Sequence, residues 1–76
     1  MNNKKNKACV QFGNNLRHLR QSKSLSQESF ADLLQMHRTY VGGLERGERN
    51  PTLTVIVKIA KALHFPVQKL LENVGN

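Results

Sequence analysis

The chain has 76 residues, enough for one small domain and too few for an enzyme built around a deep, walled cleft. Twelve Lys and Arg against five Asp and Glu give a formal net charge of +7, which favours a polyanionic partner, either nucleic acid or an anionic membrane. Cys9 is the only cysteine, so an intramolecular disulfide and a four-cysteine zinc site are both excluded.

The polar stretch Met1–Ala8 is followed by no apolar run of the kind a secretory signal needs. The most apolar segment, Leu53–Leu63, is interrupted by Lys58 and Lys61 and is too short to span a bilayer. A soluble, cytoplasmic protein without membrane association is therefore expected. His18, His37 and His64 are scattered and, with Cys9, show no metal-ligand spacing, so no metal, cofactor or small-molecule ligand is expected.

Taken in chain order, residues 1–8 read as a disordered basic tail in which Lys4, Lys5 and Lys7 either are solvated or brush DNA non-specifically, and residues 9–76 as the folded domain. A helical period starts near Val10, where Phe12, Leu16 and Leu19 recur at i, i+4 and i+7, and should end near Ser22–Ser24. Ser26 is a good N-cap for a second helix of about two turns reaching Leu34, and Glu28 suits the positive end of its dipole. His37–Arg46 predicts a third helix with Val41 and Leu44 turned inward. Gly47 supplies its C-terminal cap and Pro51 blocks continuation. Thr52 can cap a fourth helix, Leu53–Leu63; His64-Phe65-Pro66 breaks the chain, and Val67–Asn73 forms a fifth helix. The expected fold is all-α, a compact bundle of five short helices with a central helix-turn-helix and no strands.

Two short helices joined by a tight turn in a basic chain suggest DNA binding. Here the residues become specific. Ser26-Gln27-Glu28, Phe30-Ala31, Arg38-Thr39-Tyr40-Val41 and Leu44-Glu45-Arg46-Gly47 fall in one register, followed by Arg49-Asn50-Pro51-Thr52-Leu53. This pattern resembles the lambda/434 repressor and Cro-like (XRE-type) helix-turn-helix family over about residues 10–73. His37-Arg38-Thr39-Tyr40 with Glu45-Arg46 and Arg49-Asn50 is especially similar to restriction–modification controller proteins. The resemblance implies a regulator that binds double-stranded DNA in sequence-specific fashion, of controller or repressor type.

The third helix would enter the major groove by its N-terminal turn. Arg38 can donate two parallel hydrogen bonds to guanine, and Thr39 offers a hydroxyl and a methyl to base edges. Tyr40 either packs as a partly exposed aromatic or reaches phosphate or the centre of the operator. Gly43 stands where relatives often carry a base-reading side chain. With Gly42 it either lets the backbone approach DNA closely, helps the helix adapt, or fits a crowded contact. Gln27 opens the second helix, where its backbone N–H and side-chain amide can meet a phosphate, the role the resemblance also assigns to it. His37, Arg46, Arg49, Asn50 and Thr52 are further phosphate candidates, Arg46 and Thr52 ahead of Arg49. The resemblance also implies a structural ion pair between Glu45 and Arg20. Gln35, at a turn where relatives usually have a small residue, often Gly, would hold a left-handed conformation at a cost of about 1 kcal/mol at most.

On the fourth helix, Leu53, Ile56, Ala60 and Leu63 would suffice for the core. Val55, Val57 and Ile59 are then surplus, with Phe65, Val67, Leu70, Leu71 and Val74 behind them. A homodimer through Val55, Ile59, Phe65, Val67, Leu70 and Leu71 is expected, and with it a near-palindromic operator. The competing reading is an antitoxin-like module that binds another protein and autoregulates through DNA, although no toxin-wrapping segment is evident. An enzyme has no support, because no paired carboxylates, activated nucleophile or phosphate loop can be placed.

Overall fold

The structure, a computed structural model, describes residues 6–76 and contains five helices among them: α1 Lys7–Ser22, α2 Gln27–Leu34, α3 Arg38–Glu45, α4 Leu53–Leu63 and α5 Val67–Leu70. No strand occurs among the described residues. Lys4 and Lys5 of the expected tail lie outside them.

Helix α1 begins at Lys7, earlier than the apolar period suggests, so Lys7 and Ala8 belong to the helix and not to a disordered tail. The cause is Asn6, whose side-chain oxygen accepts from the N–H groups of Ala8 at 2.8 Å and Cys9 at 3.3 Å. Ser26 caps α2 by accepting from Ser29 N–H at 3.0 Å, and Thr52 caps α4 by accepting from Val55 N–H at 3.2 Å. Three of the helix ends turn through a left-handed residue that is not glycine: Ser24, Gln35 and His64, with φ of 59, 57 and 60°. At each, the following N–H reaches back to a carbonyl of the last turn, as Met36 does to Ala31 at 2.9 Å and Phe65 to Ala60 at 3.0 Å.

Gly47 ends α3 with φ +77°, and a Cβ there would stand 2.8 Å from the Val10 backbone, so the turn is pressed against α1. Gly13 allows a second close approach: a Cβ on it would sit 2.5 Å from the carbonyl oxygens of Leu44 and Glu45. Helix α1 therefore lies directly on the C-terminal end of α3. Sequence spacing gave no sign of this crossing.

Phe12 and Leu16 of α1, Phe30, Ala31 and Leu34 of α2, Val41 and Leu44 of α3, Ile59, Ala60 and Leu63 of α4, and Leu70 form one core. Burying each large side chain contributes roughly 1.5–3 kcal/mol. Two expectations about α4 and α5 fail here. Ile59 and Leu70 are fully buried at 0% exposure and are core residues of the single chain, not dimer contacts. Leu53, expected in the core, is instead 70% exposed. Leu53 shares a face with Ala60 two turns later, but it is the first residue of α4, and the buried positions Ile59, Ala60 and Leu63 all lie in the C-terminal half of the helix. Val55, Phe65 and Val67 pack half-buried against the chain's own core, and Lys23 Nζ lies 4.8 Å over the Phe65 ring.

The fifth helix is also shorter than expected. It stops at Leu70 and residues 71–75 continue as turns. Asn15 Nδ2 donates to the Leu70 carbonyl at 2.8 Å and the Glu72 carbonyl at 2.9 Å, taking acceptors that further helical turns would use.

Candidate nucleic-acid interface

The inward side of α3 carries Val41, Leu44 and Glu45, all buried, which turns Thr39 and Gly43 outward at i, i+4 spacing. Arg38 and Thr39 open the helix and are exposed. His37 is the N-cap, also exposed, and makes no side-chain capping bond, so the first N–H groups of α3 have no side-chain partner. Tyr40 packs half-buried against the core.

Beneath this surface runs a buried polar network. Arg20 Nε donates to Glu45 Oε2 at 2.6 Å and a terminal guanidinium nitrogen donates to Oε1 at 3.0 Å. The other terminal nitrogen donates to the Leu25 carbonyl at 2.6 Å. Arg20 and Glu45 are only 8% and 4% exposed, and every buried side-chain polar atom among the described residues has a partner. The two-pronged geometry is what makes such burial tolerable, since an unpaired charge here would carry a desolvation penalty of several kcal/mol.

Glu45 Oε1 also accepts from Gln27 Nε2 at 3.0 Å. The ion pair thus reaches the surface through Gln27, fixing an amide at the start of α2 beside the outward face of α3. One N–H of that amide is engaged by Glu45, leaving the second to point elsewhere. Gln27, Arg38, Thr39, Gly42 and Arg46 together line one shallow depression of about 200 Å³. Arg46 Nε is steadied by Glu48 Oε1 at 3.0 Å, a pairing that sequence reading missed although the two residues are only two positions apart.

The remaining phosphate candidates are not part of this depression. Asn50 lines a separate groove with Cys9, Leu71 and Val74. The Thr52 hydroxyl oxygen caps α4 and shares a hydrogen bond of 3.2 Å with Thr54. Arg49 is exposed and lies against Gly43.

The sequence matches the family HTH_3, Helix-turn-helix, over residues 16–70, which includes every element placed around the depression. The chain belongs to that helix-turn-helix family. It is 48% identical over 61 residues to the control protein C.SmaI of Serratia marcescens, covering 80% of this chain and 73% of that one. It is 46% identical over 68 residues to the control protein C.BamHI of Bacillus amyloliquefaciens, covering 86% and 84%. The fold superposes on the restriction-modification controller protein C.AhdI from Aeromonas hydrophila with a TM-score of 0.78 and 50% identity, over 82% of this chain and 94% of that one. The protein is a DNA-binding transcriptional regulator of all-helical fold, and its family is one of regulators, not enzymes. Among the described residues no helix is long and apolar enough to cross a membrane.

Proposed function

We propose that this regulator binds a near-palindromic operator as a homodimer and controls the genes of a restriction–modification system. That role is carried over from the controller proteins it resembles. The carrying observation is the convergence of Gln27, Arg38, Thr39, Gly42 and Arg46 on one surface, with Gln27 tied to the buried Arg20–Glu45 pair. In this reading α3 lies in the major groove, and Arg38 donates two hydrogen bonds to a guanine while Thr39 meets the neighbouring base edge. Gln27 offers its remaining amide N–H to a phosphate, and His37 and Arg46 add donors at the groove edge. Tyr40, half-buried, supports the helix more than it reads DNA. The compartment implied is the cytoplasm, where bacterial DNA resides.

The dimer surface moves outward from the one read in the sequence. With Ile59 and Leu70 in the core, the exposed large apolar side chains are Leu33 on α2 at 55%, Leu53 at 70% and Leu71 at 37%; the latter two, with half-buried Val57, belong to the C-terminal third and make the dimer surface. Ile56, Leu71 and Val74 line the neighbouring apolar groove. Pairing two chains through this surface would set the reading helices about 34–36 Å apart, one turn of DNA.

Binding-site selection on random duplexes at fixed salt tests the reading. The expected product is a pair of inverted half-sites about 10–10.5 base pairs apart, bound by two chains. A selected pool with no shared sequence, or with one unsymmetric site bound by a single chain, would overturn it.

A further inference from the structure

Gly43 has no side chain and faces outward on α3, yet it is buried. What covers it is Arg49. A Cβ placed on Gly43 would lie 2.9 Å from Arg49 Cγ, 3.5 Å from Nε and 3.8 Å from Cδ. The alkyl stem of Arg49 therefore runs across the bare backbone of the reading helix, one turn beyond Thr39. It fills the space a side chain at position 43 would occupy. The backbone holds this arrangement, because Glu48 N–H donates to the Gly43 carbonyl at 2.9 Å and so pins the residue just before Arg49 to the same spot. Gly42 is covered in a parallel way, since a Cβ there would meet Arg46 Nη1 at 3.0 Å.

The two loop arginines differ in how they are held. Arg46 is paired with Glu48, whereas Arg49 has no ion pair among the described residues. A planar guanidinium with five donors, carried on a stem lying along the reading helix, has the chemistry that takes guanine O6 and N7 together. A loop cation serving only phosphates would have no need of a glycine seat on that helix.

We propose that Arg49 is a second specificity-determining residue, reading a guanine beside the bases met by Arg38 and Thr39, and that Gly43 is the positioning residue that seats it. This rests on the reading of α3 in the major groove and changes the role expected for Arg49 from phosphate contact to base contact. A base-reading function is thus supplied by the loop where the helix itself carries no side chain.

The test uses the full chain, with fluorescence anisotropy at fixed salt on the selected operator, on operators with each half-site base pair replaced in turn, and on random duplex. Arg49→Ala and Arg49→Lys should both lose a preference of about ten-fold at one base pair, while Arg49→Lys keeps its affinity for random duplex and its salt dependence. Gly43→Ala should weaken the preference at that same base pair several-fold and leave the others alone. The double variant Gly43→Ala with Arg49→Ala should discriminate no worse than Arg49→Ala. Circular dichroism should show the helical content of Gly43→Ala unchanged, since alanine favours a helix. If Arg49→Ala weakens all duplexes equally, or Arg49→Lys restores full discrimination, Arg49 is not a base reader. If Gly43→Ala leaves that base pair untouched, the seat is wrong. Arg38→Ala on the same panel separates the levels: its preference disappears at its own base pair if α3 reads DNA, whether or not Arg49 does.

Discussion

The helix pairs α2–α3 and α4–α5 share one core but differ in what supports their outward side chains. Under the first pair lies a polar network in which Glu45 is gripped by Arg20 and in turn grips Gln27. Around the depression its outward residues, Gln27, Arg38, Thr39 and Arg46, are polar or cationic, while Leu33 of α2, outside the depression, is 55% exposed. The second pair has no ion pair as deeply buried as that one among the described residues, and it leaves Leu53 and Leu71 in water. One half holds its donors still through a buried ion pair; the other has no such support and carries Leu53 and Leu71, the surface proposed for self-association. In the proposed function, DNA contact and self-association fall to separate halves of a very small chain.

Adjacent residues in the second half give the sharpest way to break this division. Leu70→Asp would bury an unpaired carboxylate at a site of 0% exposure, and a loss of about 4 kcal/mol or more should abolish the cooperative thermal transition. Leu71→Asp should keep a native melt yet halve the mass seen by light scattering. A folded Leu70→Asp chain, or a Leu71→Asp chain of unchanged mass, would contradict the boundary drawn between core and dimer surface.

In the first half, Glu45→Ala strands the buried Arg20 guanidinium and should cost about 3–5 kcal/mol in urea denaturation. The double variant Arg20→Leu with Glu45→Leu should be more stable than Glu45→Ala, because no charge is left without its partner. Equal stability of the two would mean the network is not desolvated as described. A smaller effect is expected at the surface end of the same network. Gln27→Ala should weaken binding to operator and random duplex alike, by roughly 0.5–1.5 kcal/mol. A loss confined to one base pair would make Gln27 a reader.

The contrast between the halves also explains what the sequence could and could not tell. Helix-turn-helix residues carry position-specific chemistry, so the places of Ser26, Gln27, Arg38 and Thr39 in the fold are legible in the sequence. The Arg20–Glu45 pair was accessible only through resemblance, since no spacing links residues 25 positions apart. In α4 eight of eleven residues are apolar, so periodicity puts Leu53 on the face of Ala60 without showing that the core covers only the C-terminal half of the helix, and it leaves Ile59 looking surplus. Locating that cover needs the neighbours, Leu70 and the other core helices, which periodicity does not supply. The Gly43–Arg49 contact was hidden for a related reason: a glycine reads as a missing side chain, and its occupant comes from a loop six residues later.

The smallest expected effect concerns the turn joining α2 to α3. Gln35 holds φ 57° without being glycine, so Gln35→Gly should raise stability by up to about 1 kcal/mol in the same denaturation assay. DNA affinity should be unchanged, because Gln35 is not among the residues lining the depression. A less stable Gln35→Gly chain would show that the glutamine side chain contributes more than its backbone strain costs.

The central claim, that the outward face of α3 reads bases, is tested most directly by comparing the full chain with Arg38→Ala on operator and on random duplex at one salt concentration. The account predicts a loss of about 1–3 kcal/mol on operator, a much smaller loss on random duplex, and indifference to one base pair in each half-site. Equal losses on both duplexes, with every base preference intact, would contradict it.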